Sequence, residues 1–116
     1  MRIVYWARIP LARKLITDGL TARPDVELTV AESLDDFLAA LPGAAALVLA
    51  DAPEAEARQV ADAIARGGTV RWMHFVTAGK EGFDAAGLPE GVIVTGPSLG
   101  VSPTVAEHAL TLILAL

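Results

Sequence analysis

The chain has 116 residues, 53% of them hydrophobic, with a net charge of −5 and no cysteine. That length suits one domain around one core, and the acidic balance with no basic cluster argues against nucleic acid or an anionic membrane surface as partner. Disulfides and thiolate metal sites are excluded outright. The opening stretch MRIVYWARIP has only a short apolar strand and no signal-peptide pattern. The C-terminal apolar run is broken by Thr111 and is shorter than the ~20 residues of a membrane span. No membrane association and a cytoplasmic location are therefore the expectations.

In chain order, RIVYW (Arg2–Trp6) reads as a strand. LARKLITDGL (Leu11–Leu20) places Leu11, Leu15, Ile16 and Leu20 on one helical face, behind a Pro10 suited to open a helix. DVELTV (Asp25–Val30) alternates Val26, Leu28 and Val30, the pattern of a strand with one more exposed face. SLDDFLAALPG (Ser33–Gly43) is a short helix. Ser33 and Asp36 have capping-box spacing, and Pro42-Gly43 stops it. AALVLA (Ala45–Ala50) is a buried strand. EAEARQVADAIARGG (Glu54–Gly68) is an amphipathic helix with acids first and Arg66 near its end, as the helix dipole favours. VRWMHFV (Val70–Val76) and GVIVTG (Gly91–Gly96) complete five strands, and VSPTVAEHALTLILAL (Val101–Leu116) opens a last helix.

Strands alternating with helical stretches imply right-handed crossovers and a parallel sheet covered on both faces. The expected fold is α/β, a flavodoxin-like three-layer α/β/α arrangement with a five-stranded parallel sheet of order 2-1-3-4-5. Ligands in such sheets sit beyond the carboxyl ends of the strands, here the loops after Trp6, Ala50, Val76 and Thr95. The loop Ala7–Pro10 lacks the hydroxyls and glycines that hold a flavin phosphate. Asp51 stands where a receiver domain has its phosphoacceptor, but the acidic pair and the lysine are missing. Asp51 therefore reads as a strand-end or turn residue. No G-x-G-x-x-G, P-loop or nucleophile elbow follows any strand.

VTAGKEGFD (Val76–Asp84) is the most informative loop, because Thr77, Ala78, Gly79 and Lys80 let backbone N–H groups approach a ligand closely. Successive amides of this kind hold a carboxylate, and Lys80 adds positive charge. Spacing alone favours a plainer account, a strand-to-helix connection in which Gly79 supplies a positive φ. His74, in a strand, and His108, in the last helix, read as hydrogen-bonded packing residues. Glu107 has capping spacing to Thr104, with Ser102-Pro103 a competing helix start. Trp72 reads as packing; Trp6 does too, with a second role as the wall of a pocket at its strand's carboxyl end.

From Val70 to Leu116 the chain resembles the D-isomer-specific 2-hydroxyacid dehydrogenase family, through the strand and small-residue loop VRWMHFVTAGKEGFD, the LPEGV stretch and VAEHALTLILAL. The resemblance implies a flavodoxin-like substrate domain over residues 1–101 and, over 102–116, the start of the crossover helix into an inserted dinucleotide-binding domain. It implies that the chain is the first part of an NAD(P)-dependent oxidoreductase acting on 2-hydroxy or 2-oxo acids such as glyoxylate or hydroxypyruvate, with NAD or NADP bound by the full-length parent. Thr77, Ala78, Gly79 and Lys80 then grip the substrate carboxylate, and Ser102 and Val105 border the nicotinamide; Trp6 is expected at the substrate from its place at a strand's carboxyl end, not from the resemblance. None of the family's catalytic residues falls on this chain, so the fragment alone is expected to be inactive. Relatives commonly carry an apolar residue and Asp where Lys80-Glu81 stands, and Asn at Pro97-Ser98; both departures bear on substrate identity. The alternative is a stand-alone module that binds small acids or dimerises without chemistry. The apolar residues Leu110, Leu112, Ile113, Leu114 and Leu116 surround the last helix, so a homodimer through 103–116 is also expected.

Overall fold

A computed structural model describes residues 1–10, 13–97 and 114 of the chain. Its elements are β1 (Arg2–Trp6), α1 (Arg13–Thr21), β2 (Glu27–Ala31), α2 (Leu34–Ala40), β3 (Ala46–Leu49), α3 (Glu54–Gly67), β4 (Trp72–Phe75), α4 (Glu81–Ala86) and β5 (Ile93–Thr95). All neighbouring strands are parallel, and the sheet order is β2-β1-β3-β4-β5. This is the three-layer, flavodoxin-like α/β/α arrangement that the alternation of strands and helices predicts.

Alternation along the strands sends their side chains to two very different faces. On one face Val4, Trp6, Leu47, Leu49, Met73 and Phe75 form a continuous core with Phe37 of α2, Val60 and Ile64 of α3, and Phe83 of α4. Trp6 stacks on Phe37 at 5.1 Å between ring centroids, and Phe75 meets Phe83 edge-on at the same separation. Each such side chain, fully buried, contributes about 1.5–3 kcal/mol. Three helices lie on this face. The other face carries Ile3, Tyr5, Val48, Trp72 and His74, and α1 alone packs toward it among the described residues.

Local signals set the helix ends. Ser33 is extended and its Oγ accepts the Asp36 N–H at 3.1 Å, so the expected cap on α2 forms. Gly68 ends α3 in the left-handed conformation, φ 68°, with its N–H on the Ile64 carbonyl. β2 lies slightly later than its alternation suggests, because pairing runs from Arg2↔Glu27 to Trp6↔Ala31 and carries the strand through Ala31. α4 is not evident in the sequence: it is six residues long, contains Gly82, and has Lys80 at its N-cap with no side-chain cap bond.

Candidate functional site

The carboxyl ends of β1, β3 and β4 bring together Arg8, Asp51 and the loop 77–80, with Asp51 as the joint. Its main-chain N–H donates to Thr77 Oγ1 at 3.1 Å, and the Thr77 hydroxyl donates to the Gly79 carbonyl at 2.9 Å. The Asp51 carboxylate accepts the Gly82 N–H, at 3.1 Å to Oδ1 and 3.3 Å to Oδ2. It thereby serves as the cap that α4 lacks in its own sequence. The Val76 N–H bonds to the Leu49 carbonyl at 2.8 Å, carrying the β3–β4 pairing into the same corner.

Gly82 is required by this closeness. A Cβ there would stand 1.7 Å from the Ala52 carbonyl oxygen, well inside contact distance. Gly79 is a different case. It is not among the glycines with positive φ, which are Gly43, Gly68, Gly87 and Gly91, so the plainer account of the loop loses its stated reason. A Cβ on Gly79 would meet only the Glu81 carboxylate, at 2.6 Å.

Arg8 closes the corner from β1. Its Nη1 donates to the Asp51 carbonyl at 3.3 Å, lies 3.3 Å from Glu56 Oε2, and its guanidinium sits 5.7 Å from the centre of the Trp6 ring. The contact with Glu56 is Coulombic only, since Glu56 Oε2 has no hydrogen-bond partner among the described residues. With both side chains 36% exposed, the pair contributes no more than about 1 kcal/mol.

The sequence-predicted residues fall into three groups. Thr77, Ala78, Gly79 and Lys80 form one loop at the carboxyl edge. The backbone amides of Ala78, Gly79 and Lys80 meet no acceptor among the described residues, whereas the Thr77 hydroxyl is engaged in bracing the loop. The Lys80 ammonium pairs with Asp84 one turn along, at 2.6 Å. Trp6 lies behind this corner rather than at its surface: its ring is 3% exposed and stacked on Phe37, leaving almost nothing to wall an open pocket. Ser102 and Val105 lie outside the described residues, as do His108 and the rest of the expected helix 102–116 except Leu114, which is 77% exposed. His74 belongs to another cluster, where its Nδ1 is 2.8 Å from Thr95 Oγ1 and the same hydroxyl accepts the Trp72 indole N–H at 2.7 Å.

Sequence reasoning missed Arg8 and underrated Asp51, which was expected at a turn but not as the anchor of α4. No local signal in the sequence marked either role, because α4 is not evident there and Gly82 becomes informative only once the helix around it is known. Among the described residues no group of three His, Asp or Glu could hold a metal ion, and no helix is long and apolar enough to cross a membrane. Comparison with family models, with curated proteins and with solved structures finds no match.

Proposed function

We propose that the loop 77–80 binds the carboxylate of a small 2-oxo or 2-hydroxy acid, as the substrate-holding part of an NAD(P)-dependent oxidoreductase. The observation that carries this reading is the run of three amides, Ala78 to Lys80, without acceptors among the described residues, at the carboxyl edge where parallel sheets bind ligands. The bracing of the loop by Thr77 and Asp51 supports it, because a carboxylate is held best by donors already in position. Arg8 and Lys80 add positive charge on either side, although each already faces a carboxylate. The resemblance over Val70–Leu116 points to the same class of acid.

The nicotinamide cofactor does not fit the described residues. Ala7–Pro10 after β1 contains no glycine, and Arg8 in it is tied to Asp51 and Glu56, so no dinucleotide phosphate has a cradle there. In this reading the cofactor is bound by other residues of the enzyme, and the part played here is to grip and orient one end of the substrate.

Titration of the isotope-labelled chain with glyoxylate tests the proposal. Saturable shifts of the Ala78, Gly79 and Lys80 amide resonances are expected, with a dissociation constant of about 1–10 mM for half a cleft. The neutral amide of the same acid should leave them unmoved. No shift at tens of millimolar glyoxylate, or equal shifts with the neutral compound, would overturn it.

A further inference from the structure

The run of amides from Ala78 to Lys80 has an acid set against it. The Glu81 carboxylate lies beside Gly79, the middle residue of the run: a Cβ on that glycine would stand 2.6 Å from Oε2 and 2.9 Å from Oε1. Glu81 is exposed, begins α4, and forms no ion pair among the described residues. Its charge is therefore uncompensated at the segment that faces the substrate anion.

Nothing else in the corner offsets that charge. Arg8 lies 3.3 Å from Glu56 Oε2, and the Lys80 ammonium lies 2.6 Å from Asp84 Oδ1. The Asp51 carboxylate is turned to the Gly82 N–H and pairs with no cation among the described residues. Two cations thus face four carboxylates, those of Asp51, Glu56, Glu81 and Asp84. All nine Lys and Arg residues of the chain lie among the described residues. Of the other seven, Arg13, Lys14, Arg23 and Arg58 are each paired with an acid. Arg2, Arg66 and Arg71 stand at the amino edge of the sheet, the end away from the loop.

We propose that Glu81 is a specificity-determining residue, one that admits acids with a single carboxylate and turns away those with two. This rests on the reading of residues 77–80 as a carboxylate-binding loop. A single carboxylate gains the three amide hydrogen bonds, which offset the repulsion from Glu81. The second carboxylate of a small diacid is held close to the first, so it meets the same repulsion with no unpaired Lys or Arg of this chain to answer it. Like charges ~6 Å apart in water repel enough to weaken binding about threefold, and by more where protein displaces water. The Glu81 side chain can swing, but its tether keeps the charge inside the ~8 Å over which physiological salt leaves such interactions largely unscreened.

Three matched acids test this on the full chain. Mesoxalate carries a second carboxylate in place of the aldehyde hydrogen of glyoxylate, and mesoxalate monoamide has the size of mesoxalate with one charge. Each is titrated against the isotope-labelled chain while the amide resonances of residues 78–80 are followed. The monoamide should bind at least about threefold more tightly than mesoxalate. Glu81→Gln should remove most of that gap. Glu27→Gln changes the net charge equally but lies at the amino end of β2, and it should leave the gap as it was.

Equal affinity for mesoxalate and its monoamide would overturn the role of Glu81, and so would a gap that survives Glu81→Gln or that Glu27→Gln closes as well. In each of those cases glyoxylate still shifts the three amides, and the carboxylate site itself stands. Silence with all three acids would overturn that site, and the role of Glu81 with it.

Discussion

Gly82 shows how much one residue can carry in this chain. Its missing Cβ lets the first turn of α4 press against the Ala52 carbonyl, and its N–H finds the Asp51 carboxylate. Gly82→Ala is therefore expected to force the two segments apart, breaking that bond and costing about 3 kcal/mol, the upper part of the range for overpacking. Urea unfolding monitored by circular dichroism measures this. Gly79→Ala is the control, since its neighbour is the far end of the flexible Glu81 side chain, which can swing away at little cost. Residues 77–80 were legible as a candidate loop because small residues after an apolar strand are a local pattern. Asp51 was legible only as a turn residue, because its partners Thr77 and Gly82 lie 26 and 31 positions away.

Helices here are capped in two ways, one readable from neighbouring residues and one not. α2 begins with Ser33, whose hydroxyl accepts the Asp36 N–H, and two acids in the first turn suit the helix dipole. Ser33→Ala should cost about 1 kcal/mol. The check is a lowered urea midpoint with an unchanged dependence on denaturant, which marks a change in stability rather than in compactness. α4 has no such device. Its N-cap residue is Lys80, whose ammonium turns along the helix to Asp84, and the cap comes instead from the β3–α3 connection. A helix closed by a distant carboxylate leaves little periodic signal, which is why α4 was not evident from the chain alone.

Across the whole molecule, the interior strand β1, between β2 and β3, holds the one tyrosine, and its ionisation couples to global unfolding. Burial raises the Tyr5 phenol above its ordinary value of 10.0, with Arg13 pulling weakly the other way. The folded chain then holds the phenolic proton more tightly than the unfolded chain does. Stability should be unaffected by this group below pH about 10, and should fall as pH rises from there through the folded-state value. Denaturant unfolding across this alkaline range should show the decline, and Tyr5→Phe should flatten it. Phenolate absorbance follows the titration directly, since Tyr5 is the only tyrosine.

The order of the five strands and of α1 to α3, the parallel sheet and its 2-1-3-4-5 arrangement follow from the linear chain, because apolar periodicity and end signals such as Ser33 and Pro42-Gly43 act over a few residues. Chain-order and handedness rules then leave few ways to arrange five such units. Other features could emerge only once distant segments met. The pairing with β1 places the end of β2 at Ala31. The approach of Ala52 makes Gly82 indispensable, and the bond to Asp51 braces Thr77. The uneven cover of the two sheet faces depends on where all the helices settle. Each of these depends on contacts between residues far apart in the chain, which no local pattern encodes.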